Sequence, residues 1–160
     1  MVDSEITLNE AGTHYIKDGV EYARVSTLLG TFGFKPGPFV SEFGLDRGSK
    51  VHKAAALLIR GELDWDSLDV RILPQLKGLE RFLADFNTEI LHVEEAFVDP
   101  VWKIGGRPDL ICKIGGLVVL IDHKNGTPQK HYPLALAIYK KILSANGIAV
   151  KDAFNLYLGE

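Results

Sequence analysis

The chain has 160 residues, 46% apolar and 24% charged, which points to one globular domain with a core of its own. No apolar run reaches the roughly 18–20 residues of a bilayer-spanning helix, and the start MVDSEITLNE lacks the make-up of a signal peptide, so a soluble intracellular protein is expected. A single cysteine, Cys112, excludes an internal disulfide framework and an all-cysteine metal site. The net charge of −3 argues mildly against a general nucleic-acid binder, yet residues 99–160 hold 8 Lys/Arg against 5 Asp/Glu, while residues 1–98 hold 10 against 16.

In chain order, THYIKDGVEYARVSTLLG reads as a hairpin turning at Lys17-Asp18-Gly19, then a short helix capped by Ser26 and running through Leu29. The Gly-, Pro- and Phe-rich stretch 31–39 reads as a loop, closing an N-terminal hairpin-and-loop unit over 1–35. Residues 46–60 carry Val51, Ala54, Ala55, Leu58 and Ile59 at helical spacing. A second helical region, 66–86, starts at an Asp66 cap, is broken or kinked at Pro74, and turns Leu76, Leu79, Phe82, Leu83 and Phe86 to one side. Strands are expected at 90–98, 101–113 and 117–123, the third apolar enough to be central and buried on both faces. Lys113-Ile114-Gly115-Gly116 makes the turn between the last two. A helix over 131–145, with Leu134, Ala137, Ile138 and Ile142 inward, and a strand over 152–158 complete the core, 46–158. The expected class is mixed α/β: a central mixed sheet flanked by helices, with an N-terminal hairpin, in one domain.

The stretch GGRPDLICKIGGLVVLIDHKNG carries the chemistry. Asp122 and Lys124 share a strand face because side chains alternate with period two. Antiparallel pairing about the 113–116 turn sets residue 109 opposite 120–122, and Gly105-Gly106 and Pro108 would let the chain bend there. Two neighbouring carboxylates repel unless they share a proton or a cation, and oxygen ligands suit Mg²⁺ or Mn²⁺. A lysine beside them would orient an attacking water or stabilise transition-state charge. Taken alone, the spacing is also that of solvated strand ends.

Four elements in order resemble the PD-(D/E)XK nuclease superfamily, in particular its RecB-like exonuclease branch, and span about residues 13–158. They are Gly48…His52 on a helix (G-x-x-x-H), Gly106-Arg107-Pro108-Asp109 (G-x-P-D), an apolar strand ending in Asp122-His123-Lys124 (D-x-K), and Tyr139 on a following helix. The pattern Tyr15…Asp18-Gly19…Val25-Ser26-Thr27 is similar to phage-type members. One departure stands out: Ala135 occupies the place of the branch's glutamine, which contacts DNA, and Gln129 lies in another register.

The resemblance implies a restriction-endonuclease-like core and an Mg²⁺- or Mn²⁺-dependent deoxyribonuclease in the cytoplasm of a bacterial or phage-infected cell. The substrate would be single- or double-stranded DNA, exonuclease action being expected, in recombination, repair or viral genome processing, alone or within a larger complex. It assigns Asp109 and Asp122 as metal ligands, with His52 and the backbone carbonyl of His123, and Lys124 as the residue positioning the nucleophilic water. Of the two strand acids, Glu95 fits the family spacing better than Glu94 as a further ligand. The His123 and His131 side chains are expected at the surface or flanking DNA. Phosphate contacts are expected from Lys50, Lys53, Arg107, Lys130, Lys140 and Lys141, DNA contact from Tyr139, and base stacking from Phe32, Phe34, Pro36, Pro38 and Phe39. The alternative is a nucleic-acid-binding module on the same fold that does not cut.

Overall fold

The computed structural model describes residues 5–34 and 42–158 and is mixed α+β. Pro36, Pro38 and Phe39 lie outside the described residues. Two mixed sheets and four α-helices account for most of the described chain. The first sheet runs β1-β2-β3-β6-β5, from Thr7–Leu8, His14–Lys17, Val20–Arg24, Ile104–Gly106 and Phe97–Asp99 respectively. The second runs β4-β7-β8-β9, from Glu89–Val93, Leu110–Ile114, Leu117–Lys124 and Asp152–Tyr157. Each sheet has one parallel pairing, β3 with β6 and β8 with β9.

The expected hairpin is present. Asp18 and Gly19 both have positive φ (52° and 74°), the two-residue turn that matches strand twist. Gly115 and Gly116 (57° and 80°) do the same between β7 and β8 and fix the register Leu110↔Ile121. A further short strand, β1, extends the hairpin.

Two expected strands each divide. The stretch 90–98 separates into β4 and β5 around Glu94 (φ 51°), after a register shift between Ile90 and His92. The stretch 101–113 separates into β6 and β7 at Arg107-Pro108-Asp109. The halves join different sheets, so two sheets stand where one central sheet was expected.

Helix α1 (Val25–Thr31) begins after Arg24 with no side-chain cap, so Ser26 does not cap it. Helix α2 spans Glu42–Arg60, starting earlier than expected, and Val51, Ala54 and Ala55 are buried as the spacing predicts. Asp69, not Asp66, caps the next segment by accepting from the Arg71 N–H. The chain makes a 3-10 turn (Val70–Ile72), then α3 (Leu73–Asp85). Pro74 starts α3 rather than kinking it, because the first turn has no hydrogen-bond duty for its missing N–H. Phe86, just beyond the helix, is exposed.

Helix α4 (Tyr132–Ala145) buries Ala135, Leu136, Ile142 and Leu143, while Leu134 is exposed, so its inward face is rotated from the expected one. It covers one side of the second sheet with α1. Their core joins Val25, Leu29, Phe97, Ile104, Ile111 and Leu120, drawing on both sheets. Helices α2 and α3 cover the other side, against Leu110, Cys112, Val119 and Ile121. Strand β8 is therefore central and buried on both faces, as its composition predicts. Fully buried leucines such as Leu76, Leu79 and Leu120 each contribute about 1.5–3 kcal/mol. Among the described residues no helix is long and apolar enough to cross a membrane.

Candidate functional site

The β7–β8 register carries the two acids together. With Leu110 paired to Ile121, Asp109 falls opposite Asp122 at the end of the ladder. Both are buried, at 7% and 5% exposure. The Asp109 carboxylate links three elements. Oδ1 lies 3.1 Å from Nδ1 of His52 on α2, and Oδ2 accepts the His123 backbone N–H at 2.6 Å. Asp122 pairs with Lys124 on its own strand face, Nζ to Oδ2 2.5 Å. The Lys124 ammonium also stands 4.7 Å from the centre of the Tyr132 ring.

These groups open on one cavity of about 260 Å³, lined by His52, Asp109, Asp122, Lys124, Arg107 and Tyr139. Six residues the sequence nominated thus come together, with His52 recruited from more than fifty positions upstream.

The cavity also contains residues to which the sequence reading gave no site role, Tyr15 and Ser26 of the phage-type pattern and, beyond that pattern, Arg24. Arg24, Ser26 and Tyr15 line it from the N-terminal hairpin and α1, because β3 pairs with β6 and brings Arg24 level with Gly105. The signal was available in the Arg-Val-Ser run at the end of a strand, but the partner strand lies about eighty residues away. Arg24 Nη1 donates to the Gly12 carbonyl at 2.7 Å, which holds it in place.

Glu94, not Glu95, faces the cavity. The positive φ of Glu94 turns the strand out of its alternation, and its N–H donates to the Asp109 carbonyl at 3.1 Å. Its carboxylate pairs with Arg107 at 2.9 Å. Glu95 is exposed and bonds His92 at 2.6 Å, so the expected ligand role of Glu95 is not supported by its position.

The expectation for the His123 side chain also fails: the ring is 1% exposed, and its Nε2 has no hydrogen-bond partner. The sheet continues past it through β9, and α2 covers it, so the strand end is not a solvated end. An unsatisfied buried nitrogen costs about 1–3 kcal/mol. His131 is half-buried between Phe34 and Tyr132, ring centres 5.7 and 4.9 Å away. Phe32 and Phe34 are exposed, and so are Lys50, Lys53 and Lys130, none of which lines the cavity. Lys141 is exposed as well, and Lys140 is half-buried.

Gly105 and Gly106 do not bend the chain. They sit inside β6, where a Cβ on Gly106 would lie 2.5 Å from Tyr139 Cε1 and one on Gly105 2.7 Å from Tyr15 Cδ2. They are glycines because two aromatic walls of the cavity rest on them. Ala135 is buried in the core cluster with Val25 and Leu29.

The electrostatics separate the acids. Burial raises the Asp109 pKa, but the hydrogen bond and charge of His52 outweigh it and hold the carboxyl at about 2. Burial and then the Asp109 charge push Asp122 up to about 6 against the pull of Lys124. Burial and the same charge push Glu94 to about 7. Burial lowers His52, but its hydrogen bond to Asp109 and the surrounding acids leave it raised. Burial takes His123 down to about 4, so that ring is neutral at pH 7. Burial raises the Tyr139 hydroxyl.

Three acids thus crowd this space, and the Asp109 charge helps to raise both Asp122 and Glu94 even though Lys124 and Arg107 pair with them. Ligand-type atoms of His52, Asp109 and His123 lie within 4.8 Å of one another, a group of metal-ligating composition among the described residues.

No family model matches the chain, and no curated protein matches it. A solved structure described as "Crystal structure of SSO0001" is 22% identical, with a TM-score of 0.34, over 71% of this chain. The match takes in 57% of that chain's length, and at this distance the likeness carries neither fold nor function.

Proposed function

We propose that the chain is a metal-dependent deoxyribonuclease of PD-(D/E)XK type, built on a restriction-endonuclease-like core, that hydrolyses phosphodiester bonds to leave 5′-phosphates. The observation that carries the reading is the buried Asp109–Asp122 pair with Lys124 at 2.5 Å from Asp122 and His52 at 3.1 Å from Asp109, all on one cavity. That is an expensive arrangement for a purely structural role.

The donor set fits a hard or borderline divalent cation, Mg²⁺ or Mn²⁺: two buried carboxylates, an imidazole and the main-chain carbonyl of His123. When bound, such an ion supplies charge neutralisation and acidification of the attacking water. Lys124 would then orient that water and offset charge building on the phosphate. Arg24 and Arg107 offer guanidinium groups to the DNA backbone, and Tyr15 and Tyr139 wall the cavity. Exonuclease action on single- or double-stranded DNA in an intracellular DNA-processing role is the form of the activity proposed.

Purified protein should digest DNA with Mn²⁺ or Mg²⁺ and stop with EDTA. Asp122→Ala and Lys124→Ala should each lose at least about a hundredfold in rate while keeping a cooperative melt. Full cleavage by either folded variant would sink the mechanism. End-labelled linear, circular and single-stranded substrates separate exonuclease from endonuclease.

A second reading, a module that binds nucleic acid without cutting, draws on Ala135, which offers no amide where the resemblance expects one. Metal-independent DNA binding with no cleavage under any divalent ion would favour it.

A further inference from the structure

We propose that the His123 imidazole is itself a ligand of the cation, completing a His52–Asp109–His123 set that tilts the site from Mg²⁺ towards Mn²⁺. This rests on the reading of the cavity as a metal centre, and it adds a side chain to the two carboxylates and the main-chain carbonyl.

The geometry begins with alternation along β8. Asp122 and Lys124 point to one face, so His123 points to the other, towards α2, where its ring centre lies 6.2 Å from that of His52. His123 Nδ1 stands 4.0 Å from Asp109 Oδ2, too far for a hydrogen bond. One ligand-type atom from each of the three residues lies within 4.8 Å of the other two. Opposite ligands of an ion with bonds of about 2.1 Å stand about 4.2 Å apart, so sub-ångström side-chain movement closes the set.

Chemistry supports the same assignment. The ring is 1% exposed, and its Nε2 has no hydrogen-bond partner. A neutral imidazole has a lone pair to offer a cation. With one nitrogen on the ion, the proton resides on the other. The site thus gains a second imidazole beside its carboxylates and the main-chain carbonyl. Imidazole suits transition metals, whereas Mg²⁺ prefers oxygen alone.

The test measures binding, not cleavage. Isothermal titration of the full-length protein, free of nucleic acid, is run with Mn²⁺ and separately with Mg²⁺. His123→Leu should weaken Mn²⁺ binding by about tenfold or more and change Mg²⁺ binding by less than about threefold. Unchanged Mn²⁺ affinity, or equal losses for both ions in a folded variant, overturns the proposal.

Wild-type protein labelled with ¹⁵N-histidine gives a second readout that needs no variant to fold. Titration with Zn²⁺ should move the ring-nitrogen resonances of two histidines, and movement of one or none overturns the proposal. A wild-type protein that cleaves no DNA, yet binds Mn²⁺ through His123, would overturn the nuclease reading and leave this one standing.

Discussion

Asp109 and Asp122 are both buried, yet their surroundings pull them in opposite directions, and this sets the sign of what each contributes to stability. The folded-state pKa of Asp122 is raised to about 6, so the folded protein binds a proton there more readily than the unfolded chain. Its penalty is absent below the unfolded value near pH 4 and complete above about pH 6. Without metal, Asp122→Asn should therefore be more stable than wild type at pH 8, on the order of 1–3 kcal/mol, and no different at pH 4. Asp109 has the opposite sign. Its depressed pKa contributes stability above about pH 4 that is lost as pH falls towards 2, so Asp109→Asn should be less stable at pH 8. Urea denaturation in EDTA across pH 4–8 measures both, and an Asp122→Asn variant weaker than wild type at pH 8 would contradict the assignment. The pairing of these acids was legible because Gly115-Gly116 sets the hairpin register. The choice of Glu94 over Glu95 was not, because period-two alternation breaks at a residue with φ of 51°. Nor was the burial of His123, since nothing local announces that β9 and α2 will cover the end of β8.

At the scale of elements, β6 is three residues long, and two of them are the glycines on which the cavity walls rest. Gly106→Ala would put a methyl into the Tyr139 ring, with Ile142 Cδ1 3.2 Å away on the same side. Ile142 is 1% exposed and has no free space, so the half-buried Tyr139 ring must shift into the cavity. A loss of about 1–3 kcal/mol is expected, with a displaced Arg107 and a larger fall in activity than the stability loss explains. Thermal melts and cleavage rates of Gly106→Ala, with Gly78→Ala on the exposed side of α3, where an added Cβ meets nothing within 4 Å, as the comparison, check this. A Gly106→Ala protein with wild-type melting would show that the ring yields. The sequence displayed these glycines plainly but disguised their reason: a glycine pair before a proline reads as a bend, and only the tertiary partner on α4 reveals a close packing. Helix positions were legible from their periodicity. The exact inward face of α4 was not, because its apolar residues run nearly all the way round it.

For the whole molecule, the two sheets part between β4 and β5 and again between β6 and β7, and Glu94 and Asp109 occupy those two partings. The charged cavity therefore lies at a seam. Beneath it, the core containing Phe97, Ile104, Ile111 and Leu120 is continuous across both sheets, closed by α4. Continuity of that core predicts one unfolding transition, not one per sheet. Calorimetry of the metal-free protein should give equal calorimetric and van't Hoff enthalpies, and fluorescence and far-ultraviolet dichroism should report the same midpoint. Two separated transitions would mean that the sheets are independent bodies. The division into two sheets was illegible in the sequence because each split strand reads as one continuous β-rich run, and the break depends on which neighbours each half finds.

The parallel pairing of β3 with β6 also has a consequence for how the chain is made. The N-terminal hairpin leaves the ribosome first, but its inner strand pairs at Ala23 and Arg24 with Ile104 and Gly105, synthesised about eighty residues later. Until then that strand is an open edge, with Tyr22 and its neighbours lacking their cover. The nascent protein thus carries an unfinished half-cavity while the residues between β3 and β6 are made. Arg24 meets the acids of the β7–β8 hairpin only once the long connection has closed, so the charged cavity is among the last features of the fold to be assembled.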